Sequence, residues 1–551
     1  MANLKRRAQP PSPTDVQGVA RQLAQLLTKT EDRDTASSCL VALAKIGSER
    51  AGFELRDRIT PLLTSGDQEL RESAALALGI SGDLDAANVD CLIQLMEDSP
   101  AGRKLSGGRA VNERTRSFAA FAAGLLLHRS RQAGVSLRIS RALEAIVAAP
   151  EDHGRNLVVA AVEALALLPR DWRGAAADTL RKGIIFQLGS FYDQELGAGD
   201  QLLQAHVPTA LARLLPPKSI DSVKWRNRFR EDLLLGLRSS TGNKVKVNHH
   251  VAQSCVLALG RMCEPWESDN STSHAVGELL MRVHQEHRDE HTRSFAALAL
   301  AQIGGANAQA YLVSELAEAN KAIEQPWLAM ALGVMASRQR IAGSHQGRHA
   351  ADHDAIATAL IAQFKKARNP GTVGAIAIAL GMTGANGARD LIRDAMVKNH
   401  KRDGVAGYTA LALGLLQDAS VVNDLRDLRE SAARRPFVLM QAVRALGLLG
   451  DYTLTEQLSA ELTTSGTSLI RLSATASALA QIGDRRCLPA LQALVKNRDV
   501  TPLTQAFAVV ALGGVCDKDA LPWNAIYATQ VNYRASTETL TDGRSGLLDL
   551  L

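Results

Sequence analysis

Two groups of histidines are the residues most able to do chemistry in this sequence. His287 and His291 enclose the pattern His-x-x-Glu-His, which one class of zinc peptidases places on a helix beneath a closed cleft. Here the pattern lies where one helix ends and Thr292 opens the next, so it indicates a polar turn. His349 and His353 have the spacing of two metal ligands on one helical face, but a solvated loop is the better interpretation. We therefore expect no metal and no other cofactor.

No residue set fixed by local spacing predicts catalysis. The six cysteines are scattered and form no Cys-x-x-Cys pair, so they indicate neither a disulfide framework nor a zinc site. Gly381, Gly384 and Gly387 have the spacing of a dinucleotide-binding loop, yet that fingerprint opens a helix and these residues close one. No Ser/His/Asp set, Cys/His pair or carboxylate pair is apparent. The sequence predicts a protein without enzymatic activity, although distant residues can still converge in a fold.

Charged and aromatic residues in three insertions form the candidate partner-binding set. The first insertion (100–112) and the third (238–248) are basic, and the second (189–199) is acidic and aromatic. On the helix between them, Trp225 and Phe229 align as a core stripe, which leaves two arginines on another face. The complete set is Arg103, Lys104, Arg109, Phe191, Tyr192, Asp193, Glu195, Arg226, Arg230, Lys244 and Lys246. Alternating charge favours a protein surface over a uniform phosphate backbone.

These segments must be positioned by a repeated unit. An Ala-rich pattern returns in fixed register, and its marker leucines recur at one constant interval: Leu380, Leu413, Leu446, Leu479 and Leu512. Such a regular period indicates stacked supersecondary units. In one copy Leu439, Val443 and Leu446 recur at helical spacing, with alanines between them that allow another helix to come close. A shorter amphipathic helix precedes each marker helix, so the unit is helix, turn, helix.

The sequence also predicts the turns of this unit. Gly450-Asp451 and Gly483-Asp484 combine a C-terminal glycine cap with an aspartate that can cap the following helix. Thr501-Pro502 places a cap and a first-turn proline before the next apolar helix. Neither helix of a unit can bury its apolar face alone. The units must therefore stack, with contacts mainly between nearest neighbours.

The closing pattern Ala-Leu-Gly-x-x-Gly-Asp resembles HEAT repeats, in particular the short bacterial kind also found in phycobilisome lyase-like proteins. The ankyrin signature Thr-Pro-Leu-His is absent, and aromatic residues, at 4%, are too few for tetratricopeptide repeats. The earlier units add an arginine seven residues before the marker, with an acid or amide four residues before it: Arg71, Arg116 and Arg293, with Asp67, Asn112 and Asp289. The resemblance implies that these residues bond across neighbouring units.

The predicted fold is an all-α solenoid of about thirteen stacked repeats. Earlier markers fall at Leu43, Leu78, Ala123, Leu165, Leu211, Leu259, Leu300 and Leu332. We expect a disordered N-terminus (1–14), expanded repeats with insertions (15–338), an insertion between repeats (339–351), regular repeats (352–517) and a capping tail (518–551). Terminal repeats need such a cap because they would otherwise expose an apolar face.

Composition adds two weaker constraints. The net charge of +6, from 63 basic and 57 acidic residues, is too mild to imply nucleic acid by itself. The N-terminus carries no apolar segment typical of a signal peptide, and no apolar run approaches the ~20 residues of a membrane span. We expect a cytoplasmic protein, an expectation that a start further upstream would weaken.

The sequence predicts a non-enzymatic scaffold that binds a protein or peptide partner and no membrane. A nucleic-acid-binding protein is the first alternative. The second, an enzyme or chromophore-lyase-like helper, is implied only by the family resemblance.

Overall fold

The computed structural model describes residues 9–197, 199–239, 248–267, 273–345, 354–449, 454–464 and 467–519. All regular secondary structure in these ranges is helical, which confirms the all-α class. The chain divides into two compact units. The central unit contains Ile220–Ile482. The terminal unit combines Gln9–Ser219 with the chain from Gly483 onward.

The terminal unit opens with five helices, α1 (Pro13–Leu27), α2 (Arg33–Ile46), α3 (Ser48–Ala51), α4 (Arg56–Ile59) and α5 (Gln68–Ser81). The next are α6 (Ala86–Met96), α7 (Pro100–Leu105), α8 (Glu113–Arg129), α9 (Ala133–Ala148), α10 (Arg155–Leu165), α11 (Ala175–Tyr192), α12 (Gln201–Gln204) and α13 (Val207–Leu214).

The central unit begins with α14 (Ile220–Ser239), α15 (His249–Met262), α16 (His274–Glu286), α17 (Glu290–Ile303), α18 (Ala306–Glu318) and α19 (Glu324–His345). The regular repeats follow as α20 (Asp354–Lys366), α21 (Pro370–Thr383), α22 (Arg389–Lys398), α23 (Asp403–Leu416), α24 (Val422–Ser431), α25 (Pro436–Leu448), α26 (Leu454–Thr463) and α27 (Leu469–Ile482). Back in the terminal unit, the chain adds α28 (Leu488–Lys496) and α29 (Pro502–Val515).

All thirteen marker residues lie in the second helix of a repeat, and each is at most 1% exposed. Within the central unit α15, α17, α19, α21, α23, α25 and α27 pack side by side in that order. The α-solenoid prediction is therefore confirmed for the described repeats. The cores are rich in alanine and leucine because second helices pack on both sides against their neighbours.

At several interfaces the close approach of second helices depends on one glycine and one alanine. The glycine follows the marker of one repeat, and the alanine precedes the marker of the next. A Cβ placed on Gly79 would lie 2.5 Å from Ala122 Cα, and one on Gly414 would lie 2.6 Å from Ala445 Cα. The same register recurs at Gly124/Ala164, Gly260/Ala299, Gly333/Ala379 and Gly381/Ala412. These backbones touch, so any side chain at the glycine would push the helices apart.

The last repeat of the chain packs against the first, inside the terminal unit. Helix α29 lies along α2 as intimately as α5 does on the other side. Gln22 Nε2 donates to the Gln492 carbonyl oxygen at 3.0 Å, and Thr35 Oγ1 donates to that of Pro502 at 3.2 Å. We call this interface of α28 and α29 with α1 and α2 the terminal joint. It covers the face of α29 for which the sequence predicts a capping tail, and that tail lies, from residue 520, outside the described residues.

Lys518 stabilises the terminal joint through hydrogen bonds. Lys518 Nζ donates to the carbonyl oxygens of Ala44 and Ile80, each at 2.7 Å, near the C-terminal ends of α2 and α5. Its amide donates to the Lys45 carbonyl oxygen at 2.9 Å. Beside it, Arg129 Nη2 lies 2.5 Å from Asp519 Oδ2. A cation near two helix C-termini donates to carbonyl groups that lack intrahelical partners. It also interacts favourably with the negative ends of both helix dipoles.

The structure changes the description of two insertions. Part of 100–112 forms helix α7, whose N-cap Ser99 accepts a hydrogen bond from the Gly102 amide at 3.1 Å. The insertion between repeats begins as helix, because α19 continues to His345. The segment predicted to be disordered (1–14) overlaps α1, which begins at Pro13, so that boundary is corrected. The remaining predicted boundaries stay predictions.

Candidate partner-binding surface

The first group of predicted site residues is exposed on the terminal unit. Arg103, Lys104 and Arg109 follow one another on and after α7. The Arg103 guanidinium forms a bidentate pair with the Asp98 carboxylate: Nη2 lies 2.8 Å from Oδ2, and Nε lies 3.1 Å from Oδ1. These bonds hold the pKa of Asp98 below its ordinary value. One of the three charges is thus already paired, which reduces the basic character of the group.

The interpretation of Phe191 and Tyr192 as aromatic residues of an exposed loop is wrong. Both belong to the last turn of α11 and are 0% and 6% exposed. With Leu188 they continue the apolar face of that helix at helical spacing. Only Asp193 and Glu195 of this group are exposed.

The remaining members belong to the central unit. Trp225 and Phe229 are buried with ring centroids 5.7 Å apart, which confirms the core stripe on α14. Arg226 is not a surface cation: it is 6% exposed and its Nη1 donates to the Met262 carbonyl oxygen at 2.9 Å. Arg230 is half-buried beside Asn227. Lys244 and Lys246 lie outside the described residues, so the predicted set is divided between two units.

The histidine pattern forms a turn, as predicted. Asp289 caps α17 through its Oδ2, which accepts a hydrogen bond from the Thr292 amide at 2.7 Å, and His287 Nδ1 accepts one from the Asp289 amide at 3.1 Å. His291 is exposed. Across the described ranges no group of three potential ligands could hold a metal ion. His349 and His353 lie outside those ranges.

The repeat arginines tie each second helix to its own turn. Arg71 Nη1 donates to the Ser65 carbonyl oxygen at 2.6 Å, Arg116 Nε to that of Met96 at 2.9 Å, and Arg293 Nη1 to that of His287 at 2.8 Å. All three acceptors precede the second helix within the same repeat. This corrects the expectation that these arginines bond to neighbouring repeats. A hydrogen bond between neighbouring repeats does occur at the acid, where Gln253 Nε2 donates to Asp289 Oδ2 at 3.0 Å.

A buried carboxylate and imidazole meet in the terminal unit without a signal in the sequence. His206 Nδ1 lies 2.9 Å from Glu163 Oε1, and Arg213 Nη1 lies 3.6 Å from Glu163 Oε2. Such a pair resembles acid–base machinery. However, Glu163 is 1% exposed and His206 is 0% exposed, so no substrate can reach them from solvent. In the core, Glu163 therefore serves as the partner of His206 and Arg213.

A concentration of positive charge lies on three consecutive turns of the central unit. These turns, 365–370, 398–403 and 431–436, join the first and second helices of successive repeats. They contain eight lysines or arginines and one acid, a net charge of +7, whereas the whole chain carries +6. The cations are Lys365, Lys366, Arg368, Lys398, Lys401, Arg402, Arg434 and Arg435. We call this surface the basic edge.

Few acids oppose the basic edge. Lys398 Nζ lies 3.7 Å from Asp394 Oδ2, and Arg435 Nη1 lies 3.3 Å from Asp403 Oδ1. Lys365, Lys401 and Arg434 are exposed and form no ion pair with the described residues. The charges of these three residues are therefore available to a partner.

Two arginines of the basic edge occupy positions where a helix cap is expected. The N-cap positions of α21, α23 and α25 are Asn369, Arg402 and Arg435, each one repeat period from the next. Asn369 Oδ1 accepts hydrogen bonds from the first-turn amides, whereas neither arginine provides a side-chain cap. Replacing a capping side chain typically costs ~1 kcal/mol. A local rule broken in two adjacent repeats is typical of a functional surface.

Sequence reasoning missed the basic edge because it looked for charge inside the insertions. The signal is present at the repeat period: Lys365 and Lys398 occupy the same position in successive repeats, and so do Arg402 and Arg435. Aligning the turns of successive repeats would have found it.

Two family comparisons agree with this architecture. The family described as "HEAT repeats" matches residues 20–112, and the family described as "PBS lyase HEAT-like repeat" matches residues 472–497. This is a HEAT-repeat protein. The first match covers the repeats of α2 and α5, and the second covers α28 and most of α27. No curated protein matches the HEAT-repeat chain.

Solved structures similar to this HEAT-repeat protein are distant. A crystal structure of Kap121p is 14% identical with a TM-score of 0.37 over 89% of this chain and 53% of that one. The chain thus spans about half the length of Kap121p. A homology model of the full-length AP-3 complex in an intermediate open conformation is 11% identical, with a TM-score of 0.31 over 88% and 81% of the two chains. None of the described helices has the length and apolar character of a membrane span.

Proposed function

We propose that this HEAT-repeat protein is a non-enzymatic scaffold that binds an acidic segment of a partner protein along the basic edge. The observation that carries the proposal is the concentration of net charge in three turns. The net charge of these turns exceeds that of the entire chain, so the remainder is almost neutral. Such a local field attracts a segment of opposite charge and speeds its association.

The spacing of the turns suits an extended peptide. Packed helices lie about 8–10 Å apart, so three successive turns span roughly 20 Å. An extended chain rises about 3.3 Å per residue, which places roughly six residues along the basic edge. An acid at every third position would face one turn each. Exposed lysines and arginines pair well with carboxylates at such a surface.

A protein segment fits this surface better than nucleic acid. A long polyanion is matched by a basic stripe that continues over the domain. Here the cations stop after three turns, because the next turn of the central unit, between α26 and α27, is built from threonine, serine and glycine. The exposed members of the predicted set, Arg103, Lys104, Arg109, Asp193 and Glu195, remain a prediction of a further contact region on the terminal unit.

The proposal is tested with a fluorescent dodecapeptide that carries six glutamates, by fluorescence anisotropy. Lys401→Glu combined with Arg434→Glu should weaken binding roughly tenfold or more, because two attractions become repulsions. The control combines Lys29→Glu with Lys182→Glu, which alters the net charge equally at exposed positions of the terminal unit. Equal weakening by both double variants would show that only net charge matters.

A single-stranded oligonucleotide of the same length is the competing probe. Phosphate contacts give a steep dependence of affinity on salt, with about one power per neutralised phosphate. If the oligonucleotide binds more tightly than the peptide and depends on Lys401 and Arg434, the nucleic-acid alternative replaces the proposed function.

A further inference from the structure

Between the first two turns of the basic edge lies a cleft of about 360 Å³. Four helices of two successive repeats line it, α20 to α23. Its apolar lining includes Phe364, Val373, Leu391 and Val405. Phe364 and Val405 are buried, whereas Val373 and Leu391 are partly exposed, so the cleft leads from the repeat core to the surface.

The mouth of the cleft is cationic. Lys365, Arg368, Lys398 and Arg402 line it, opposed by Asp394. Arg368 Nη1 donates to the carbonyl oxygens of Lys365 and Ala367, so it is fixed against the end of α20. Because four cations face one acid, the cleft combines an apolar interior with a net positive entrance.

A small residue of the second of these repeats lines the cleft at a position where the next repeat has a large one. Ala395 of α22 lines it. The equivalent position of the next repeat is Leu428 of α24, which is 5% exposed. A leucine at position 395 would place a larger apolar side chain beside this charged opening.

We propose that this cleft binds an apolar side chain of a peptide whose neighbouring residues are carboxylates. The inference rests on the proposed function. It adds that the basic edge prefers acidic peptides that carry an apolar residue between their carboxylates. The apolar side chain enters between α20 and α23, and the flanking acids reach Lys365, Lys398 and Arg402. The phosphates of nucleic acid would use the cationic mouth of the cleft but not its apolar lining.

The test compares two peptides of identical charge on the full chain. Both are dodecapeptides with six glutamates, and the central residue is leucine in one and serine in the other. Burial of a leucine side chain stabilises by ~1.5–3 kcal/mol, so the leucine peptide should bind roughly tenfold more tightly or better. Equal affinities would refute the cleft inference and leave the proposed function intact. Binding of neither peptide would refute the proposed function itself.

A substitution taken from the neighbouring repeat gives the second measurement. Ala395→Leu copies the residue found at the equivalent position of α24, so the helix should accommodate it. It should abolish the preference for the leucine peptide, so that the two peptides bind with equal affinity. Ala362→Leu is the matched control, since Ala362 is exposed at the equivalent position of α20 and does not line the cleft. A preference that survives Ala395→Leu places the apolar contact elsewhere.

Discussion

A Cβ atom placed on Gly513 would lie 2.7 Å from the Cβ of Ala42, although these residues belong to the last and first repeats of the chain. Gly513 follows its marker leucine, and Ala42 precedes its own. The pair therefore reproduces the glycine–alanine register of the interior interfaces. The terminal joint is a repeat interface like any other, formed between residues remote in sequence.

Gly513→Ala and Gly447→Ala should change stability in opposite directions. Both glycines lie in second helices, where alanine gains up to ~1 kcal/mol in helix propensity. At Gly513 the new methyl group meets Ala42 Cα at 2.8 Å, and overpacking there should cost about 1–3 kcal/mol. At Gly447 the nearest atom is the flexible Gln481 Oε1, at 3.3 Å. Urea unfolding should therefore show a loss for Gly513→Ala and a neutral result or a gain for Gly447→Ala. Equal losses would contradict the register argument.

Thiol labelling can report opening of the terminal joint directly. Cys39, Cys487 and Cys516 are buried there, and burial raises the pKa of each thiol to about 12, so native thiolate is scarce. In Gly513→Ala these three should react with a maleimide faster than Cys255 and Cys263 of the central unit. Mass spectrometry of labelled peptides gives the rates. Uniform acceleration at all five positions would indicate global unfolding instead.

The terminal unit should become more stable as pH rises from about 8 to 9. Burial lowers the pKa of Lys45 and Lys518 to about 8, from 10.5. Above pH 8 the folded lysines release protons that the unfolded chain keeps, so the free energy of unfolding rises, by up to ~1.4 kcal/mol per pH unit and lysine. Above pH 9 the buried thiols oppose this trend, because only the unfolded thiols ionise. Lys518→Met should reduce the slope between pH 8 and 9. An unchanged slope would show that Lys518 does not titrate there.

Glu163→Ala should destabilise the terminal unit by about 3–5 kcal/mol, because it removes the carboxylate from a buried cluster and leaves Arg213 with an uncompensated charge. Glu69→Ala provides the control. Glu69 pairs with Arg33 at 3.2 Å, but both side chains are exposed, and such pairs contribute at most ~1 kcal/mol. Thermal unfolding of the two variants checks the difference. Comparable small losses would show that the buried cluster is not structurally important.

Sequence alone predicted what the repeat period controls. The markers, the second helices and caps such as Asp484 and Thr501 follow from local spacing and hydrogen-bonding chemistry, and the structure confirms them. The burial of Phe191 and Tyr192 was missed because a length-based insertion was placed over the end of an apolar helical face. The terminal joint could not be predicted from periodicity, since a period describes neighbours along the chain and says nothing about residues at its two ends. The basic edge was predictable but required comparing charges between repeats.

The terminal joint also sets a delay during synthesis. Helix α2 emerges from the ribosome long before the helix that covers it, since Thr35 precedes its partner Pro502 by 467 residues. At roughly 5–20 residues per second, that face stays uncovered for about half a minute to a minute and a half. During this time the nascent chain presents Cys39 and Ala42 on an apolar helix without its neighbour. The repeat that contains α2 is therefore completed only after the repeat that contains α29 has been translated.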